Sequence, residues 1–286
     1  MKNLFIISSL ILLFNSCTKE ITIDLPEPEK KIVVDGGIFV GQPAEINLTW
    51  STGYFDPIDS ASLANYLISS ATVYVTDGSL TDTLHISYDP AKPIPIVWKG
   101  STLLGQVGHT YNLTVIADGK TATSTTTIRP AVALDSTWFK LEPPNDSLGF
   151  AWAHLTDPVG IGNGYRWFSK RITKDPYFMA PFGSAFDDKF IEGTSFDFAY
   201  NRPSNPGSTA PEDTGPQAGY YIIGDTIVVR FCSIGQAEVN FFRTYEAAVA
   251  SNGNPFAAPN VIKTNVNNGL GIFCGYSPTY DTIICR

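Results

Sequence analysis

The first residue with a defined chemistry is Cys17, which follows the small residue Ser16 at the end of an apolar run. This run covers residues 4–14 behind a positive Lys2, a layout typical of a secretory signal and too short for a membrane-spanning helix. Cleavage before the cysteine would create an N-terminal residue that accepts fatty acyl chains, and two or three chains anchor a protein stably. We therefore predict a lipoprotein signal peptide over 1–16 and lipidation of Cys17. The alternative is an ordinary secretory signal with a coincidental cysteine.

Three further cysteines, Cys232, Cys274 and Cys285, carry the other nucleophilic side chains of this type. Their spacing matches no zinc template, and the chain has no Cys-x-x-Cys pair. Export permits disulfides, but three cysteines allow at most one internal pair. The sequence therefore leaves a single bridge and buried, unpaired thiols as equal alternatives.

The residues that most often perform acid–base or metal chemistry are few. The three histidines belong to no His-Glu-x-x-His pattern, and no Gly-x-Ser-x-Gly occurs. Asp187, Asp188 and Glu192 are close together, but their spacing fits no loop of calcium ligands, so a solvated turn is the favoured interpretation. We predict no catalytic residue, no metal site and no cofactor. The histidines are His85, His109 and His154.

Aromatic side chains are concentrated between residues 175 and 219, where the sequence shows little periodicity. Loops of this length inside a domain are usually functional or disordered, and the aromatic content argues against disorder. Two interpretations stay open, namely a binding or docking loop, or a structured excursion whose aromatic rings fill a core. The candidate binding residues are Tyr177, Phe178, Phe182, Phe186 and Phe190.

Composition limits the classes of function. Of the 286 residues, 43% are hydrophobic and 13% aromatic, which is ample material for one large or two ordinary domains. The formal net charge is −8, and loss of residues 1–16 removes one lysine and no acid, which makes the remaining chain more acidic still. A protein that neutralises phosphates needs a basic surface, so we predict no nucleic-acid binding.

The first part of the chain must be built from strands. After a proline-containing, acidic segment over 17–30, which we interpret as an extended linker, about seven short segments alternate between apolar and polar residues up to residue 130. Asp118-Gly119 is a strong hairpin signal between two of them. Gly108-x-x-Tyr111-x-Leu113 predicts a corner in which the tyrosine hydroxyl bonds to backbone. The fold class is mainly β, with an immunoglobulin- or fibronectin-like β-sandwich over 31–130.

The remaining chain predicts a second β-rich domain over 131–286 that contains the long aromatic loop. One convincing helix covers 236–250, because its apolar residues recur at helical spacing and Ser-Asn-Gly follows it. Segments 270–276 and 279–285 predict two final strands, and the glycines of the first require positive φ or close backbone approach. Arg129-Pro130 marks the boundary between the two domains.

Four motifs, in this order, resemble one family. They are Val33-Val34-Asp35-Gly36-Gly37-Ile38, Gly108 to Leu113, the acidic and aromatic segment 186–193, and Asn268-Gly269-Leu270-Gly271-Ile272-Phe273-Cys274-Gly275-Tyr276. Together with the lipid-anchor signal, they resemble a large family of Bacteroidota outer-membrane lipoproteins known as a domain of unknown function. The resemblance covers essentially the whole chain after Cys17.

The resemblance implies an accessory protein and no enzyme. Family members are often encoded beside TonB-dependent outer-membrane receptors, so the expected partners are the lipid bilayer, through Cys17, and such a receptor during nutrient uptake. The expected location is the outer membrane, on its periplasmic or cell-surface side. A stand-alone glycan- or peptide-binding surface lipoprotein, with aromatic rings as stacking platforms, is the alternative. The sequence does not fix the oligomeric state.

Overall fold

Alternating apolar and polar residues produce strands along most of the chain. The computed structural model describes residues 29–53, 56, 62–90, 92–205, 208–251 and 260–286, so Cys17 and most of the predicted linker lie outside the described residues. The strands are β1 Ile32–Phe39, β2 Pro43–Trp50, β3 Thr72–Thr76, β4 Thr81–Thr83, β5 His85–Tyr88, β6 Ile96–Leu104, β7 Thr110–Ala117, β8 Lys120–Thr127, β9 Ser136–Leu141, β10 Leu148–Thr156, β11 Gly164–Arg171, β12 Ala185–Asp187, β13 Ser195–Tyr200, β14 Tyr221–Ile222, β15 Thr226–Ile234, β16 Val266–Asn267 and β17 Gly269–Ile284.

Helices are short, with one exception. The predicted helix at 236–250 is confirmed, and α3 covers Gln236–Ser251. Two single-turn helices, α1 Leu63–Tyr66 and α2 Pro211–Thr214, were not predicted. A 3₁₀ turn at Asp188–Phe190 follows β12. The chain is therefore mainly β, as its sequence predicts.

The strands form three sheets. The largest has eight strands in the order β12-β11-β15-β17-β1-β2-β6-β5, and it includes strands from both predicted domains. A five-stranded sheet has the order β16-β8-β7-β3-β4, and a four-stranded sheet joins β13, β10 and β14, with β9 paired to β10. Two β-sandwiches thus share one large sheet, an arrangement that the sequence does not reveal.

Two cores lie between this large sheet and the smaller sheets. In the first core, Val34 and Ile46 of the large sheet pack with Val115 of the five-stranded sheet. In the second, Phe231 packs with Ala153 of the four-stranded sheet. Both cores lie on the same side of the large sheet, because each of its strands directs alternate residues toward them.

Two turns follow the sequence prediction closely. The Tyr111 hydroxyl donates to the carbonyl oxygen of Leu104 at 3.2 Å and accepts from the backbone N–H of Gln106 at 2.7 Å, which confirms the tyrosine corner. Asp118 and Gly119 both have positive φ, at 48° and 71°, and close the β7–β8 hairpin. Positive φ at both central residues gives the backbone twist that a two-residue hairpin needs.

The two ends of the described chain meet in the parallel pair β1–β17, where Val34 lies opposite Gly271 and Ile38 opposite Gly275. The two predicted final strands are one continuous strand, which is a correction. The sequence suggested a break near Pro278, but beyond Tyr276 the strand β17 has only β15 as its ladder partner. A proline without an N–H is tolerated where one side of a strand is free.

Glycine makes this pairing sterically feasible. A Cβ on Gly271 would lie 1.9 Å from the carbonyl oxygen of Val34, and the φ of Gly271 is +95°. A Cβ on Gly37, across the same ladder, would lie 2.2 Å from the carbonyl oxygen of Cys274. The glycines that the sequence singled out therefore permit close approach of the first and last strands.

A buried side-chain contact joins helix α3 to β8 and, through Thr126, to β17. Thr126 of β8 donates from its hydroxyl to Glu238 Oε1 at 2.5 Å, and it accepts from the backbone N–H of Gly275 at 2.8 Å. Glu238 is only 3% exposed. Burial raises the pKa of Glu238, and the hydrogen bond from Thr126 offsets only part of that effect.

We expect Gly271→Ala to lower the free energy of unfolding by about 3 kcal/mol or more, because the added Cβ clashes with the backbone of Val34 and the positive φ disfavours alanine. Gly78→Ala is the matched control, since Gly78 has a φ of +92° with nothing within 4 Å of its Cβ position. The control should lower the free energy of unfolding by about 1 kcal/mol, because only the positive φ disfavours alanine there. Urea denaturation measures both values, and equal losses would show that the β1–β17 approach is not limiting.

Glu238→Gln tests the buried carboxyl. Below pH 4.5, the usual pKa of a glutamate, the carboxyl is protonated in both the folded and the unfolded protein and does not change the free energy of unfolding. Because its pKa is raised in the folded state, the protein loses stability as the pH rises above 4.5 and through the folded-state pKa. The Tm of the variant relative to the wild type should therefore increase by about 2 °C or more between pH 4 and pH 8. A difference in Tm that stays constant across this range, measured by calorimetry, would contradict the burial of a charged carboxylate.

Candidate binding surfaces

The large sheet has one face that the two cores leave uncovered. Helix α3 and the segment 178–182 cover part of this face. Two cavities of about 380 and 440 Å³ remain, and Asp35 of β1 lines both of them. We call Asp35 with these two cavities the open-face cleft. It forms where the motif at residues 33–38 and the glycine-rich motif at 268–276 pair in the ladder.

Two arginines stand in the open-face cleft, one at each cavity. The Cζ atom of Arg230 lies 4.3 Å from the ring centroid of Phe168 and 4.4 Å from that of Phe178. The Cζ atom of Arg166 lies 3.2 Å from the ring centroid of Phe242 and 5.1 Å from that of Phe168. Both guanidinium groups are therefore held against aromatic rings.

Neither guanidinium group has an acidic partner. Among the described residues, no carboxylate lies within 4.0 Å of Arg166 or Arg230, and the Nε atom of each is buried without a hydrogen-bond partner. A cation–π contact contributes about 0.5–2 kcal/mol, whereas removing an ion from water costs several kcal/mol. Because both side chains are half-buried, they bear part of that cost, and burial lowers the pKa of Arg230.

Asp35 is exposed to solvent, yet it stands where the two cavities meet and protein surrounds them. This enclosure limits the hydration of the carboxyl. As a result, desolvation raises the pKa of Asp35, and the attraction of Arg166 offsets only part of the rise. The open-face cleft therefore places two guanidinium groups beside the Asp35 carboxyl, and Glu45, Lys92, Lys99 and Glu246 complete its charged lining.

A second surface lies at one end of the large sheet. Three apolar side chains there are almost fully exposed, Val159 at 89%, Ile161 at 79% and Phe190 at 85%. We call these three residues the tip patch. Exposed apolar side chains of this size are ordinary when isolated, but three on adjoining loops indicate an interaction surface.

Buried carboxylates fix the loops that carry the tip patch. Asp188 Oδ2 accepts from the backbone N–H groups of Gly162 and Asn163, each at 2.8 Å. Asp157 accepts from the Tyr165 hydroxyl and, at 3.1 Å, from the backbone N–H of Gly193. The favoured interpretation of a solvated turn was therefore wrong for Asp188, which is 1% exposed because it satisfies backbone donors.

The structure separates the five aromatic candidates. Phe186 packs in the second core, and Phe178 packs beside Arg230 under the open-face cleft. The Tyr177 hydroxyl donates to Asn205 Oδ1 at 2.6 Å. Phe182 is 60% exposed and lines the 440 Å³ cavity, and Phe190 belongs to the tip patch. The core interpretation therefore holds for Phe186, while Phe182 and Phe190 stay candidates for binding.

Sequence reasoning missed Asp35, Arg166 and Arg230 as functional candidates. A signal was present, because Arg166, Phe168 and Lys170 alternate with apolar residues along β11 and share one face of the strand. A charged residue beside an aromatic on a central strand is unusual unless that face is open. The missing information was which face the smaller sheets would cover.

The remaining nucleophiles are enclosed. Cys232, Cys274 and Cys285 are free and buried, so the alternative of unpaired thiols is the one observed. Burial raises the pKa of Cys232 and of Cys285 to about 12, and that of Cys274 also rises. Such thiols are inert at neutral pH, because the thiolate is the reactive form.

The histidines, metal ligands and helices offer little further chemistry. His154 Nδ1 lies 2.6 Å from Asp197 Oδ1 on the exposed outer face of the four-stranded sheet.

Within the ranges that the structure describes, no group of three or more His, Cys, Asp or Glu side chains could hold a metal ion. In the same residues, no helix is long and apolar enough to cross a membrane.

The outer face of the four-stranded sheet also carries paired aromatic rings. Trp138 and Trp152 lie side by side across β9 and β10 with their centroids 6.1 Å apart, and Phe150 stacks on Tyr220 at 5.0 Å. All four side chains are half-buried, so their free surfaces face solvent. Aromatic platforms of this type can bind the apolar faces of sugars or peptides.

Comparison with protein families gives one match, over residues 18–282, to the family described as "Domain of unknown function (DUF4249)". A comparison with curated proteins finds no similar sequence. The family match includes both β-sandwiches, the open-face cleft and the tip patch. Because it covers nearly the whole chain, this protein belongs to the DUF4249 family.

Proposed function

We propose that this protein is a non-catalytic lipoprotein of the Bacteroidota outer membrane, anchored through acylated Cys17, that serves a TonB-dependent receptor in nutrient uptake. The anchor rests on the signal-like segment before Cys17, and the receptor rests on the family resemblance. The observation that carries the docking role is the tip patch. Its exposed apolar side chains stabilise no core and are held by buried carboxylates.

Rigidity makes the tip patch suitable for docking. Flexible loops lose conformational entropy when a partner orders them, which weakens binding. Here Asp188 and Asp157 already fix the two loops through backbone donors, so Ile161 and Phe190 need little further ordering. A preformed apolar surface with an aromatic side chain is the usual centre of a protein interface.

Cys17→Ala should move the full-length protein from the membrane fraction to the soluble fraction, because the acyl chains supply the membrane affinity. Ser16→Ala is the matched control, since it keeps a small residue before the cysteine and should stay membrane-bound. Fractionation followed by intact-mass spectrometry provides the measurement. A wild-type protein without acyl mass, or a Cys17→Ala protein that remains in the membrane, would rule out the anchor.

The docking role predicts the result of an affinity pull-down of the tagged protein from outer membranes in mild detergent. A TonB-dependent receptor should be recovered with the wild type, and Ile161→Asp with Phe190→Ala should reduce its recovery at least about tenfold. The Tm should stay within about 2 °C, because both side chains are exposed. Tyr88→Ala, at a 72% exposed aromatic on edge strand β5, is the control and should keep the receptor.

A second candidate function is stand-alone binding of glycans, and the paired rings of Trp138 and Trp152 favour it. Lys140 Nζ lies 4.7 Å from the ring centroid of Trp152, which adds a polar group beside the platform. Recovery of the protein without any receptor, from membranes where it is abundant, would overturn the docking role and favour this second function.

A further inference from the structure

The arginines of the open-face cleft lack the partners that such groups normally have. Buried cations are usually paired with acids, and this chain has 27 acidic residues for 19 basic ones. The two fully buried arginines follow the rule, since Arg171 pairs with Asp175 at 2.8 Å and Arg202 with Asp213 at 2.5 Å, whereas the cleft arginines are half-buried. Arg166 and Arg230 have aromatic rings instead.

We propose that the open-face cleft binds a small organic carboxylate, with its carboxylate between Arg166 and Arg230 and its apolar part against the surrounding rings. Both Cζ atoms lie close to the centroid of Phe168, at 5.1 and 4.3 Å, so they are less than about 10 Å apart, and each can form charge-assisted hydrogen bonds to an anion where the two cavities meet. Cavities of about 380 and 440 Å³ match the size of ligand sites.

The lining of the cleft favours a carboxylate with an apolar body over a bare inorganic anion. Phe39 and Tyr276 stack at 4.4 Å beside the first cavity, and Phe241 and Phe242 line the second. Inorganic phosphate makes no use of these rings. A ligand with an aromatic group would bury them and release water from their surfaces.

Asp35 adds a constraint on the ligand. Its carboxylate lines both cavities, so it repels a second acidic group and offers an acceptor to an N–H donor. A carboxylate that also carries an amide N–H therefore matches Arg166, Arg230 and Asp35, and the further charged side chains of the lining are Glu45, Lys92, Lys99 and Glu246. N-acetylphenylalanine combines these features, and its uncharged analogue N-acetylphenylalanine amide lacks only the carboxylate.

The experiment measures binding of these two compounds to the full-length protein in mild detergent by calorimetry. N-acetylphenylalanine should bind at least tenfold more tightly than its amide, because only the carboxylate pairs with the guanidinium groups. Arg166→Met and Arg230→Met should each weaken binding at least tenfold. Their Tm without ligand should equal or exceed that of the wild type, since each removes an unpaired charge. Arg243→Met is the control, because Arg243 is exposed and pairs with Asp187 outside the cleft.

Equal binding of the acid and the amide, or undiminished binding by both arginine variants, would overturn the proposal. A measurement on the wild type decides the matter even where a variant does not fold. Phenylglyoxal modifies arginine side chains, and N-acetylphenylalanine should protect the peptides that contain Arg166 and Arg230, as read by mass spectrometry. Unprotected arginines would overturn the proposal.

This inference is independent of receptor docking. The open-face cleft lies over the middle strands of the large sheet, whereas the tip patch lies on the loop that precedes β11 and on the segment that follows β12. The tip-patch variants should therefore bind N-acetylphenylalanine as the wild type does. Loss of the receptor with retained ligand binding, or the reverse, identifies which of the two proposals fails.

Discussion

The parallel pairing of β1 with β17 is the contact on which the rest of the structure depends. It joins the first and last strands of the described chain in the middle of the large sheet, and it places four strands on each side of their ladder. Close approach of the two backbones requires glycine at positions such as 37 and 271. The two motifs that carry the family resemblance are therefore one structural unit, and their residue types follow from backbone sterics before any question of ligand arises.

This pairing also explains why a cleft exists. The two smaller sheets cover one face of the large sheet, while helix α3 and the segment 178–182 cover part of the other face. The helix is too short to cover eight strands, since Tyr245 and Val249 near its end are already half-exposed. Polar residues on the open face, such as Asp35 and Arg166, can keep some hydration there, which two packed sheets would not allow.

Much of the fold could be predicted from local sequence, because strand periodicity, the Asp118-Gly119 hairpin, the Tyr111 corner and helix α3 depend on neighbouring residues. The shared sheet could not, since β17, one of the two partners of β1, lies more than 200 positions away and pairing at that distance leaves no local pattern. The candidate site divides in the same way. Phe182 and Phe190 were found from composition, but the unpaired arginines become visible only once burial and neighbours are known.

The two arginines also indicate how stability and binding are balanced in this protein. Each is held by rings that fix its orientation and, among the described residues, has no carboxylate within 4.0 Å, although acids are plentiful elsewhere in the chain. A sequence selected for stability alone would place an acid or an apolar residue at these positions. The tip patch shows the same pattern, since exposed Phe190 contributes nothing to a core while buried Asp188 holds its loop in place. Both surfaces accept a cost in stability that a bound partner would offset, and they have no lining residue in common.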